Sequence, residues 1–109
     1  MLKLIYNLHN VHHQICLVNL EEFDYQSEIG NLLYKLMEDL EKTCEVNILT
    51  HPESIENVEE FRNNFNNLIR NKISKVKESI EKMEDNELAL EILDGLSNGI
   101  EEEISVLSE

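Results

Sequence analysis

Histidine and cysteine side chains cluster near the start of the chain, where their spacing raises the question of a metal site. Imidazole and thiolate are ligands that zinc prefers, and a helix would bring all of them to one side, where Cys44 or His51 could join them. In the β-hairpin favoured below, however, they fall on different faces or in the turn. We therefore expect no metal site and no cofactor. The clustered residues are His9, His12, His13 and Cys16.

The two cysteines and the paired carboxylates are the residues that could carry nucleophilic or acid–base chemistry. A reactive cysteine needs a nearby cation, helix N-terminus or base that lowers the thiol pKa, and the acidic surroundings of Cys16 and Cys44 act the other way. Carboxylates recur in pairs at Glu21-Glu22 and Glu59-Glu60. They belong to surface helices and connections, which do not separate two pKa values as a catalytic pocket does. With no glycine-rich phosphate loop either, we predict that the protein is not an enzyme.

The charge of the chain is strongly acidic and unevenly distributed. Against 23 acidic residues there are 9 Lys and Arg, for a formal net charge of −14. Residues 84–109 hold nine acids and no base, whereas residues 51–83 balance six of each. Such a surface repels nucleic-acid phosphates and anionic lipids, so we expect no direct nucleic-acid binding and no membrane binding. A basic protein is the natural partner, and solubility alone is the alternative explanation of the charge.

Acidic residues of the last predicted helix are the candidate partner-binding residues. They recur about every one or two helical turns, or ~5–11 Å, which is comparable to a row of phosphates. We therefore predict a small cytosolic protein-interaction module. Its most concrete form is an inhibitor or immunity-type protein that blocks the basic, nucleic-acid-binding surface of an enzyme. The candidates are Glu87, Glu91, Asp94, Glu101 and Glu102.

Composition also bears on origin and location. The 13 Asn, 11 Ile and 7 Lys against 2 Arg reflect A/T-rich codons, as in a low-GC bacterium, its phage or its plasmid. Two cysteines make no disulfide framework, which favours a cytoplasmic protein. The longest apolar run is only Ile15–Val18, too short for a membrane span.

Self-association is the second functional hypothesis, and a small enzyme is the third. Apolar surface around Phe61, Phe65 and Ile69 of a long helix would favour a homodimer if the rest of the chain left it uncovered. Gly95 and Gly99 lie one turn apart on the last helix, where glycine costs about 1 kcal/mol relative to alanine. Their spacing predicts a close approach, by another part of this chain or by a partner.

Residues 1–20 fit two patterns. Leu4, Leu8, Val11 and Ile15 have the 4-3-4 spacing of a helical heptad. A hairpin with its turn at His9-Asn10 pairs Leu8 with Val11 and Leu4 with Ile15, and places all four on one face. Because the segment is rich in Asn and His, which are mediocre helix formers, we favour the hairpin.

The following segment reads as a helix and then a strand. Asp24 or Ser27 can cap a helix whose apolar stripe runs from Ile29 to Leu40. Beyond it, Cys44, Val46 and Ile48 alternate with polar residues, which predicts a third, short strand.

The second half of the chain predicts a long antiparallel helical hairpin over residues 53–108. In it Arg70 approaches Glu101, Lys75 approaches Glu91 or Asp94, and Lys82 approaches Glu87. The predicted fold class is thus α+β. It is one domain over residues 1–109, with a ββαβ part over residues 1–50 followed by the helical hairpin.

Overall fold

The computed structural model describes the backbone of residues 2–48 and 56–108 and the side chains of residues 8–47, 56–57 and 59–103. Within these ranges the secondary structure is helical and contains no strand, so the predicted α+β class is wrong. The described residues form four helices. They are α1 (Leu2–Cys16), α2 (Glu28–Ile48), α3 (Val58–Glu81) and α4 (Glu87–Ser108).

The predicted N-terminal hairpin is replaced by α1. Leu8, Val11 and Ile15 follow the helical spacing, and all three are buried. The hairpin would have placed His13 on the same face as Ile15, yet His13 is exposed. Burial of the apolar stripe against α2 and α4 therefore outweighs the weak helix propensity of the Asn and His residues.

The predicted third strand is the last part of α2. A strand would have placed Cys44 and Val46 on the same face, but Cys44 is fully buried and Val46 is 62% exposed. Cys44 instead continues the buried stripe of α2, four residues after Leu40. Two side chains of this segment donate hydrogen bonds to the backbone carbonyl four residues earlier, as in a helix. Thr43 Oγ1 donates to the Asp39 carbonyl, and Asn47 Nδ2 donates to the Thr43 carbonyl.

Helices α3 and α4 form the predicted helical hairpin with a later start. Asn57 caps α3, since its side-chain oxygen accepts a hydrogen bond from the Glu60 amide at 3.0 Å. Residues 53–55, at which the helix was predicted to begin, lie outside the described ranges. In the turn between the helices, Asp85 has a positive φ of 53°. Asn86 Nδ2 donates to the Ile80 carbonyl at 3.1 Å, which joins the end of α3 to the start of α4.

The helices are arranged as a ring in which each one packs against two neighbours, in the order α1, α2, α3, α4 and back to α1. Helices α3 and α4 are antiparallel, since Arg70 pairs with Glu101 and Lys77 with Asp94. Helices α2 and α3 are antiparallel as well, because the start of α2 lies beside the end of α3. The apolar stripes of all four helices meet in a single core. Its fully buried residues include Val11 and Ile15 from α1, Leu33 and Leu40 from α2, Ile69 and Ile80 from α3, and Leu93 and Ile100 from α4.

The start of α2 depends on a close backbone approach. Ser27 is the cap, because its Oγ accepts a hydrogen bond from the Gly30 amide at 3.0 Å and donates to the Asp24 carbonyl at 2.7 Å. The same Asp24 carbonyl lies where a Cβ on Gly30 would project, so any larger residue collides with the backbone. Gly95 is the opposite case, since a Cβ there would meet nothing within 4 Å.

Alanine at these two glycines should therefore shift stability in opposite directions. Gly30→Ala should lower the free energy of unfolding by about 1–3 kcal/mol, the usual cost of forcing atoms into an occupied space. Gly95→Ala should raise it by about 0.5–1 kcal/mol, because an exposed helix interior gains helix propensity without a clash. Urea denaturation of both variants measures the two shifts. Shifts of the same sign would contradict the described packing.

Candidate partner-binding surface

The five candidate acids of α4 divide into two groups with different surroundings. All five are exposed, which agrees with their predicted position outside the core. Two of them turn towards α3 and form ion pairs with it. The other three lie along the outward side of the helix. The paired residues are Asp94 and Glu101, and the outward ones are Glu87, Glu91 and Glu102.

The paired acids fix the register of α3 against α4. Arg70 Nη2 donates to Glu101 Oε2 at 2.8 Å, while Arg70 Nε lies 2.6 Å from Oε1 without the alignment of a hydrogen bond. Two turns further along α3, Lys77 Nζ donates to Asp94 Oδ1 at 2.8 Å. This hydrogen bond and the Asp94 charge raise the pKa of Lys77. Each exposed pair contributes only ~0–1 kcal/mol, so the pairs select a register rather than hold the fold together.

The predicted pairing across the hairpin is confirmed at one position and wrong at two. Lys82 forms no ion pair with Glu87 in the described structure. Arg70 pairs with Glu101 as expected. Asp94 is paired with Lys77 rather than with Lys75, which is exposed. A two-residue step along a helix rotates a side chain by about 200°, so only one of the two lysines is able to face α4.

The outward acids have no ion pair within the described part of the chain. Glu87 and Glu91 lie one turn apart near the start of α4, and Glu102 lies three turns further on. Their charges are consequently available to another molecule. The continuous row of five charges predicted from the sequence is interrupted in the middle, because Arg70 and Lys77 neutralise two of its members.

Additional acids extend this surface beyond α4. An open groove lies between the residues leading into α2 and the turn that joins α3 to α4. The sequence alone does not bring these two segments together, because their proximity depends on the antiparallel packing of α2 against α3. Lys82 is the one base among the residues that line the groove. The acids that line it are Glu22, Asp24, Glu28, Glu84 and Asp85.

The histidine cluster does not form a metal centre in the described residues. Helix α1 places His9 and His13 on the exposed side, with His12 partly buried. No group of three or more His, Cys, Asp or Glu residues with described positions is arranged to hold a metal ion. His51, which could have joined the cluster, lies outside the described ranges.

Both cysteines are free thiols: Cys16 is exposed at the end of α1, and Cys44 is buried in α2. Burial raises the pKa of the Cys44 thiol to about 12, with smaller contributions from Cys16, Glu41 and Glu45. The pKa of Cys16 is also raised, first by desolvation and then by the Glu41 carboxylate, which accepts a hydrogen bond from its Sγ at 3.9 Å. Raised pKa values keep both thiols protonated near neutral pH, which disfavours nucleophilic chemistry.

Thiol titration provides a test of this arrangement. Because folding raises the pKa of Cys44 above the unfolded value near 9, its contribution to stability is present below that pH and is lost as the pH rises towards about 12. The wild type should therefore lose stability relative to Cys44→Ala as the pH rises from about 9 towards about 12. At about pH 8, a thiol reagent should modify exposed Cys16 first and Cys44 only when the chain unfolds. Equal reaction rates of the two thiols in the folded protein would contradict the buried position of Cys44.

Two features that suggested self-association are accommodated within one chain. Phe65 and Ile69 are buried in the core and Phe61 packs against it, so these three side chains are covered by the rest of the described chain. Gly99 is approached closely by the Gln14 side chain of α1, as predicted for a contact within the chain. Gly95 has open space around it in the described chain, so the prediction that another part of this chain approaches it closely is wrong at that position.

Among the described residues, no helix has the length and apolar character needed to cross a membrane. In comparisons with known proteins, no family model, no curated protein and no solved structure matches the chain.

Proposed function

We propose that the protein is a small acidic interaction module that binds a basic protein partner through the outward side of α4. One observation carries this proposal: Glu87, Glu91 and Glu102 are exposed and have no ion pair in the described structure, whereas their neighbours Asp94 and Glu101 are paired with α3. Fixed acids on a rigid helix attract a basic surface over several ångströms and speed its association.

The acids that line the groove beside the α3–α4 turn support the same proposal. Glu84 and Asp85 lie in the turn before α4, across the groove from acids of the segment that leads into α2. Together with Glu87 and Glu91 they make one end of the bundle strongly negative, and Lys82 compensates only one of these charges. A partner that approaches this end meets carboxylates from two separate segments of the chain.

The specific form we propose is an inhibitor or immunity-type protein of a phage or plasmid that acts in the cytoplasm. A net charge of −14 matches the positive surface with which an enzyme holds nucleic acid. The two free cysteines are in keeping with a reducing compartment. On this proposal, nucleic acid and the protein compete for the same surface of the partner.

Neutralising the outward acids should slow association with the partner. The triple variant Glu87→Gln, Glu91→Gln, Glu102→Gln keeps side-chain size and helix propensity while removing three charges. The wild type, the triple variant and a control would serve as parallel baits in affinity purification, followed by stopped-flow kinetics with the captured protein. We expect association about tenfold slower for the triple variant, and a salt dependence between about 50 and 500 mM that is weaker than in the wild type.

The control removes the same number of charges from another face of the molecule. Glu60 and Glu78 are exposed residues of α3 that lie off the side carrying Arg70 and Lys77, and Glu56 is exposed just before the helix begins. If their replacement by Gln slows association as much as the α4 triple variant does, net charge alone is responsible. If neither variant changes the rate, the acids serve only solubility and the proposal fails.

A further inference from the structure

A second open groove lies between the connection that joins α1 to α2 and the side of α2 itself. Here it is called the connector groove. Its apolar part is made by residues of the connection and of α2, and its rim carries acids. The apolar residues include Leu17, Val18, Tyr25, Tyr34 and Met37, and the acids are Glu21, Glu38 and Glu41.

Two large apolar side chains in this groove are exposed to solvent. Leu17 is 62% exposed and Tyr25 is 58% exposed, which is unusual beside a well-packed core. A soluble domain exposes scattered apolar residues, but two large ones that line one groove form a patch of the kind that marks interaction sites. Tyrosine in particular is enriched among the residues that dominate binding energy in protein interfaces.

The exposed Tyr25 ring packs against a second aromatic ring, that of Tyr34. It meets Tyr34 edge to face, with ring centroids 5.4 Å apart and an interplanar angle of 64°. Tyr34 is fixed in turn, because its hydroxyl donates a hydrogen bond to the Leu20 carbonyl at 3.2 Å. A ring that is already ordered loses little conformational entropy when a partner covers it, which favours binding.

The charge around the connector groove has a single sign. Glu21, Glu38 and Glu41 line it, and no Lys or Arg does. Glu45 extends the acidic side of α2 by one more turn beyond Glu41. An occupant must therefore offer apolar groups to Leu17 and Tyr25 and positive charge to the acids around them.

We infer that the connector groove binds a basic amphipathic segment of a protein partner. Apolar side chains of that segment pack against Leu17 and Tyr25, while its Lys or Arg residues pair with Glu38 and Glu41. Anionic lipid and nucleic acid are unsuitable occupants because both carry negative charge. A second copy of this chain is unsuitable for the same reason, since its net charge is −14. The inference rests on the proposed function only for the basic character of the partner, since it concerns a surface that does not include α4.

The test uses two synthetic peptides of about 18 residues that differ in apolar content but not in charge. One is an amphipathic helix of Leu and Lys, and the other has Ser in place of each Leu. Fluorescence anisotropy should show that the Leu/Lys peptide binds at least about tenfold more tightly than the Ser/Lys peptide. The double variant Leu17→Ser, Tyr25→Ser should abolish most of this difference and leave the weak binding of the Ser/Lys peptide unchanged.

A matched control removes exposed leucines from other faces. Leu68 and Leu88 are 43% and 39% exposed and do not line the connector groove. The variant Leu68→Ser, Leu88→Ser should bind both peptides as the wild type does. If the groove variant retains full affinity for the Leu/Lys peptide, or if the control loses as much, the inference is overturned.

A measurement on the wild type guards against a groove variant that fails to fold. Cys16 also lines the connector groove and is the exposed one of the two thiols. Saturating Leu/Lys peptide should slow its modification by a thiol reagent at least severalfold, and an unchanged rate would overturn the inference. The α4 triple variant should bind the Leu/Lys peptide normally, so failure of the acidic α4 surface and failure of the groove give different results.

Discussion

The fold depends on the burial of one side of α1 between α2 and α4. Leu8, Val11 and Ile15 are almost completely removed from solvent there, although the helix that carries them has weak intrinsic propensity. A short helix of this composition is stable only because its apolar stripe completes the core. Without it, the facing stripes of α2 and α4 would be open to water, at a cost of roughly 25 cal/mol for each Å² of apolar surface.

The length of α1 also determines where the connector groove forms. Helix α1 has 15 residues, whereas α2, α3 and α4 have between 21 and 24. The chain leaves α1 beside Glu41 and runs back along α2, where Leu20 is buried and Phe23 packs against the core. This irregular segment covers the rest of the core incompletely. Leu17 and Tyr25 therefore remain at the surface beside α2. The connector groove is thus a consequence of the short length of α1.

Three of the four helices were predictable from the spacing of their apolar residues, though not with the observed ends. The spacing of apolar residues in 1–20 fitted both a helical heptad and a β-hairpin. Only the tertiary packing of Leu8 and Val11 decides between the two structures. The alternation of Cys44, Val46 and Ile48 resembled a strand because three apolar residues are too few to distinguish the two-residue period of a strand from the roughly 3.6-residue period of a helix. The longer buried stripe from Leu33 to Leu40 was the better guide, since Cys44 extends it.

The candidate surfaces were predictable to a smaller degree. Exposure of the α4 acids follows from their position opposite the apolar stripe, and all five are exposed. Which of them pair with α3 depends on the rotation of each lysine about the helix axis, so Lys77 rather than Lys75 reaches Asp94. The connector groove had no signal in the sequence, because it arises from the path of residues 17–27 along α2.

The central claim is that α1 is a helix and an integral part of the core, and native-state hydrogen exchange tests it most directly. Amide protons of residues 8–16 should exchange only through the same cooperative opening as those of residues 33–40 in α2. The two segments should then give equal free energies of opening and equal dependence on denaturant. Exchange of residues 8–16 near the rate of an unfolded chain, while α2, α3 and α4 stay protected, would contradict the account.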